Sequence, residues 1–302
     1  MVSIQKIAII SDTSIALPDH ISYEKPFIKN GKPVCIHSQG LFLVPNTINI
    51  NGKEYYDQIN ISTGKMVEFM NKCPKTNYLT SAPSPSRFLE TFMRVPKRYT
   101  SILCIPLSSK LSASYSAAQM AVNEAKNIPG IHEITLVDSQ AATGSLGLIV
   151  LKLLEIARQG GSITHLLNTI KEINLSLGMF GYLDGMYYVW RSGRIPKFAY
   201  MASSILGIKP IFRIFQNNIS IASKVRTKKR GMERLTSLIR NEVGESELNV
   251  LVLYGKSRID GLKLADLVRD RLNTRSVELG QFNATTIAHS GPNILGLAYY
   301  EG

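Results

Sequence analysis

The sequence predicts two α/β domains, the first with a largely parallel, helix-covered sheet and the second with a mixed sheet. Three observations carry this. Short apolar runs alternate with helical patterns through the first half, the signature of strands joined by crossover helices. In the second half that alternation breaks at Gln216-Asn217-Asn218, a turn between two apolar runs that predicts an antiparallel hairpin. A chain of 302 residues, 44% of them hydrophobic, is long enough to bury two cores.

In the first half, strands are predicted at 7–10, 78–80, 101–107 and 133–138. Helices are predicted at 61–71, 85–94, 112–126 and 144–158. Ser84 followed by Pro85 reads as an N-cap and first helical residue. Gly160-Gly161 punctuates the pattern, and Ser162 is a good N-cap for a helix over 163–173. The domains are therefore placed at 1–160 and 161–302. Beyond the punctuation, strands are predicted at 178–183, 209–215, 219–223, 248–254, 275–281 and 295–300. Helices are predicted at 198–206, 227–241 and 259–273.

Chemistry concentrates at two strand-to-helix junctions. Ser108, Ser109, Ser112, Ser114 and Ser116 crowd the first, between the apolar run 102–107 and a run of good helix formers. Open α/β sheets bind ligands at this carboxyl edge, and the free amides of a helix start favour an anion there. Uncharged hydroxyls can hydrogen-bond a carboxylate or phosphate without neutralising it; the competing role for any one serine is a helix cap. Thr80 and Ser81 stand at the second tip, read as a neighbouring strand pointing to the same edge.

These segments resemble those of the DegV family. Thr80-Ser81 with Pro83-Ser84, Ser108-Ser109-Lys110-Leu111-Ser112, and the opening 9–18 are similar to its motifs. Val137-Asp138-Ser139, Arg191-Ser192-Gly193-Arg194-Ile195, Gly207-Ile208-Lys209-Pro210 and His289-Ser290-Gly291-Pro292 follow in the family's order, so the resemblance spans nearly the whole chain. It implies a long-chain fatty acid, such as palmitate or oleate, bound between the two domains and presented to a separate fatty acid kinase. It further implies Thr80 and Ser112 as carboxylate ligands, with Ser81 and Ser109 beside them and His289 in the pocket. Arg191 and Arg194 would meet phosphate or the kinase. Ala82, Ala113, Ser114 and Ser192 depart from the family pattern, and residues 17–43 form a longer segment than usual.

Composition narrows the alternatives. Cys35, Cys73 and Cys104 are widely spaced with no CxxC, which points to a reducing cytosol rather than a disulfide framework or zinc site. None of the five histidines forms HxxxH or HExxH, and no cofactor is expected. Asp12 and Asp138 end strands at the ligand edge, where turn-making competes with metal binding. Gly255-Lys256-Ser257 lacks the spacing of a phosphate loop, since Val250 stands where its first glycine belongs. A hydrolase or phosphotransferase built on the serine-rich edge is the alternative function, yet no G-x-S-x-G elbow is present. The longest apolar stretch, 146–157, is too short to span a bilayer.

The net charge of +13 is uneven. Residues 1–160 carry 16 Lys/Arg against 11 Asp/Glu, and residues 161–302 carry 19 against 11. The run Lys224 to Arg230 fits an acidic protein partner, a transient anionic membrane surface, or a solvated face. Aromatic residues are not interleaved with it, which argues against nucleic acid.

Overall fold

The computed structural model describes residues 6–193 and 207–302. The helix predicted at 198–206 lies outside them, as does Arg194. The first sheet is built around β1 (Ile7–Asp12), all of whose residues are buried. It pairs in parallel with β4 (Leu41–Val44) and β8 (Ser101–Cys104), and β8 pairs in parallel with β9 (Glu133–Leu136). An antiparallel hairpin of β2 (Phe27–Lys29) and β3 (Lys32–Ser38) extends the β4 edge. The order is β2-β3-β4-β1-β8-β9. A strand with both faces covered by helices is apolar throughout, and the first four residues of β1 are.

The strand at Thr80 is a correction. β7 (Tyr78–Ser81) does not neighbour β8 in the parallel sheet. It pairs antiparallel with β5 (Thr47–Ile50), which also pairs with β6 (Lys53–Tyr56), in a separate three-stranded sheet. The reason is the turn Asn51-Gly52, with φ of +52° and +82°, which folds β5 onto β6 and leaves the other edge of β5 for β7. Asn30-Gly31 makes a second such turn, between β2 and β3.

Helices α1 (Thr63–Lys72), α2 (Pro85–Arg94), α3 (Ser114–Ala125), α4 (Thr143–Arg158) and α5 (Ile163–Ser176) follow the predicted pattern to within a few residues. Ser84 caps α2 and Ser162 caps α5, each accepting a backbone N–H three residues on. α3 behaves differently: Ala113 is its N-cap, without a side-chain bond. Strand β8 stops at Cys104, short of the predicted Leu107, so residues 105–107 are free to form a loop.

The second sheet has the order β12-β11-β10-β15-β13-β14. It comprises β10 (Gly178–Tyr182), β11 (Lys209–Phe215), β12 (Asn218–Val225), β13 (Leu248–Tyr254), β14 (Thr274–Gln281) and β15 (Leu295–Glu301). Only β13 and β14 run parallel, so the sheet is mixed as expected. The predicted hairpin joins β11 to β12, with Gln216 and Asn217 at φ of +45° and +68°. Helices α6 (Tyr187–Arg191), α7 (Lys228–Val243), α8 (Arg258–Arg271) and α9 (Ala284–Ser290) complete this half.

α4 joins the two halves. It packs on β1 of the first sheet and on β13, β15 and β10 of the second. One apolar cluster consequently runs from Ile9 and Leu103 through Leu146 and Leu153 to Leu251 and Phe282. The close approach needs glycine at 147, where a Cβ would lie 2.0 Å from the carbonyl oxygen of Ala16.

Candidate functional site

A cavity of about 560 Å³ lies where the two halves meet, within the ~300–1,000 Å³ range of small-molecule sites. The first half approaches it with loops. Asp12, fully buried at the tip of β1, fixes them. Its Oδ1 accepts from the backbone N–H of Ser14 (2.8 Å) and from Asn46 Nδ2 (3.4 Å), and its Oδ2 accepts from the N–H of Leu107 (2.9 Å). Asn46 also donates from Nδ2 to Ser14 Oγ (2.9 Å) and from its backbone to Thr13 Oγ1 (2.9 Å). Asp12 therefore makes turns. Among the described residues no group of three His, Cys, Asp or Glu could hold a metal ion.

The structure separates the predicted serines. Ser112 lines the cavity with Ser81 and Thr80, and its Oγ accepts the N–H of Ser114 (3.1 Å). Ser109 faces away: it is exposed, does not line the cavity, and donates from both N–H (3.1 Å) and Oγ to Asp138. Asp138 is thus the second turn-maker. Ser108 is fully buried and donates to Asn217 Oδ1, tying the first half to the tip of the β11–β12 hairpin.

Thr80 and His289 meet across the cavity, Oγ1 to Nε2, at 2.7 Å. They are 209 residues apart, and both are positioned from a distance. β7 carries Thr80, held by its pairing with Ile48 of β5. His289 rides on the short helix α9, whose N-terminus is gripped by the first half. The N-cap Asn283 accepts from the N–H of Thr286 (2.8 Å) and donates to the carbonyls of Thr13 (2.6 Å) and Ile15 (3.0 Å). Asp57, fully buried in the loop after β6, accepts the N–H groups of Ala284 (3.2 Å) and Thr285 (3.1 Å). Burial pushes its carboxyl up to about 7, and those amide hydrogen bonds pull the other way. His289 Nε2 meets Thr80 and Ser112 Oγ meets Ser114, so among the described residues Ser112 and His289 are not hydrogen-bonded to each other.

The second half contributes a sheet face. Alternation along β10 and β11 turns Met179, Gly181, Phe212 and Ile214 toward the cavity, and Leu183, Phe282 and Ile294 extend the apolar wall. Arg191 stays outside. Its guanidinium lies over the Tyr187 ring (5.1 Å) and donates to Tyr187 Oη (2.9 Å) and to Asn77 Oδ1 (3.2 Å). In the basic run, Lys228 pairs with Asp260 at 2.6 Å, which leaves Lys229 and Arg230 as its exposed charges at that end.

A family model described as "Uncharacterised protein, DegV family" matches residues 6–302. The chain belongs to the DegV family. A DegV domain-containing protein of Caldanaerobacter subterraneus is 25% identical over 302 residues, 98% of this chain and 99% of the relative. The fold is that of solved DegV structures. One is a fatty-acid-binding DegV family protein from Thermus thermophilus, with TM-score 0.82, 22% identity and coverage of 99% of this chain and 100% of that one. Another is the Streptococcus pneumoniae Fatty Acid Kinase (Fak) B3 protein loaded with linoleic acid, with TM-score 0.81, 18% identity and the same coverage.

Sequence reasoning missed Ser14, Asn46, Asp57 and Gly181. The first three sit just after strands β1, β4 and β6, so a reading of every strand tip would have found them. Gly181 carried no signal, because a bare residue shows its use only once the space around it is known.

Proposed function

We propose that the protein binds one long-chain fatty acid in this cavity, between its two α/β units at 1–160 and 161–302, and presents the carboxylate to a separate fatty acid kinase. The observation that carries the reading is the cavity's polarity: one hydroxyl-rich rim, with the Thr80–His289 pair, against an aliphatic and aromatic sheet face. Thr80 and Ser112 hold the carboxylate, and Ser81 lies beside them. When His289 donates from Nε2 to Thr80 Oγ1, the Thr80 hydroxyl is left to donate to the carboxylate, so a neutral side chain binds an anion with a fixed orientation.

The chain supplies affinity and the head group supplies register. About 15 methylenes at ~0.8 kcal/mol each give on the order of 12 kcal/mol before ordering costs. Each hydrogen bond to the ionised head group adds about 1.5–3 kcal/mol. The protein acts as a carrier without chemistry of its own, and works in the cytoplasm. Arg191 and Arg194 meet the kinase or the phosphoryl group it transfers. The neighbours described as a fatty-acid-binding protein and a Fak B3 protein support both parts of this reading.

Organic extraction of the purified protein followed by mass analysis tests it. A linear fatty acid is expected. Protein that is lipid-free as purified and takes up neither palmitate nor oleate overturns the carrier function.

A further inference from the structure

Four glycines lie inside strands of the described residues: Gly178, Gly181, Gly280 and Gly296. Glycine in a strand interior weakens it and calls for a reason in the packing. Three of the four have one. A Cβ at Gly178 would lie 2.5 Å from Tyr299 Oη, at Gly280 2.3 Å from the Leu17 carbonyl oxygen, and at Gly296 2.8 Å from Phe282 Cζ. Gly181 has none. It is buried, its backbone needs no positive φ, and a Cβ there would meet only the Leu295 carbonyl oxygen, at 4.0 Å. Among the described residues no atom fills the space over this residue, and that space belongs to the cavity.

The neighbours give the space a shape. Gly181 pairs with Phe212 on one side and with Gly296 on the other. The ring of Phe282 sits over Gly296, and Met179 Cε lies 3.2 Å from where a Cβ of Gly296 would be. Phe212 and Phe282 both line the cavity. Gly181 is thus the floor of a slot walled by two phenyl rings, open above a bare backbone. Such a slot takes an unbranched polymethylene chain lying along it, and a side chain added to the floor competes for the same volume.

We infer that Gly181 is the specificity-determining residue of the cavity: the acyl chain crosses the second sheet over it, between Phe212 and Phe282, and its missing side chain sets which fatty acids fit. This rests on the fatty-acid reading above. It does not follow from that reading, since an acyl chain could lie against other parts of the wall.

The test compares wild type with Gly181→Ala and Gly181→Leu, using palmitate, oleate and octanoate as probes and thermal unfolding as the control for folding. Gly181→Ala should keep or raise Tm, because the added methyl clashes with nothing and a strand gains from losing a glycine. It should nevertheless weaken palmitate and oleate. Gly181→Leu should weaken the two long acids by roughly tenfold or more, the equivalent of a couple of buried methylenes, relative to octanoate. Long acids bound by Gly181→Leu within about threefold of wild type would overturn the inference while leaving the carrier function standing. A collapse of Tm in Gly181→Ala would also overturn it, by making the glycine a packing requirement. If wild type itself binds none of the three probes, the carrier reading falls and this inference falls with it.

Discussion

The two halves meet the cavity in different ways. The first offers loops at strand tips, where hydroxyls and amides are exposed because the strands have ended. The second offers the flat of a sheet, where alternation delivers a continuous apolar wall from β10 and β11. Loops place individual polar atoms, and a sheet face supplies area. A ligand with one charged end and a long aliphatic body needs both, and neither half provides the other's contribution.

Four experiments break or sharpen this division. The largest effect belongs to the wall. Phe282 is fully buried in the cluster that joins the halves, and its carbonyl accepts from Thr63 Oγ1 (2.6 Å). Phe282→Ala should cost about 3–5 kcal/mol in urea unfolding. A loss below about 1 kcal/mol would mean that the wall is not structural.

Next comes the grip of the first half on α9. The Asp57 carboxyl is raised from 3.8 to about 7 in the fold. Because the folded pKa is the higher one, the folded state binds a proton the unfolded state has lost. The stabilising contribution is complete below pH ~4 and disappears as pH rises through about 7, with a slope approaching ~1.4 kcal/mol per unit between. Asp57→Asn should flatten that slope in denaturation measured from pH 4 to 8. An unchanged pH profile would show that the amide hydrogen bonds outweigh burial.

The third experiment concerns the hydroxyl rim of the first half, Thr80 in β7 and Ser112 in the loop before α3. On the proposed placement of the carboxylate, Thr80→Ala and Ser112→Ala each remove a donor to the head group, for a loss of about 1.5–3 kcal/mol in fatty-acid binding, or roughly ten- to a hundredfold, while the lost bonds to His289 and Ser114 cost stability only about 0.5–1.5 kcal/mol. Wild-type affinity in both variants would move the carboxylate elsewhere. The smallest effect is expected where the halves touch at the hairpin. Asn217→Ala removes the partner of buried Ser108 and should cost about 0.5–1.5 kcal/mol in stability. A larger change in the rate of fatty-acid exchange than in stability would identify the hairpin tip as the mouth of the cavity.

The same contrast explains what could be read in the sequence. Sheet-forming residues announce themselves through period and propensity, so β10, β11, β13 and the helices from α2 to α5 were legible, as were the caps at Ser84 and Ser162. Residues 27–56 were not. Four of their five strands are only three or four residues long, and of the turn pairs Asn30-Gly31 falls in the segment 17–43, singled out only for its length, while Asn51-Gly52 lies beyond it. That omission misplaced β7, because its partner β5 was missing. Thr80 and Ser112 were singled out as strand-tip hydroxyls as well as through family motifs, and His289 through its motif; all three line the cavity. Ser109 was included for its position in the same motif, and only the structure shows it bound to Asp138. Asp57 was invisible because its role depends on a helix more than 220 residues away in the chain.

That last separation bears on how the protein is made. The contacts that seat α9 join Asp57 to Ala284 and Asn283 to Thr13, 227 and 270 residues apart, and β15 enters the middle of the second sheet after all its other strands have been synthesised. Contacts of such range form late, since long loops must close before they gain anything. A nascent chain emerging from the ribosome therefore holds Thr80 and Ser112 long before it holds His289 in place. On the proposed function, the cavity that would hold the acyl chain is closed only when the final elements, α9 and β15, are in place.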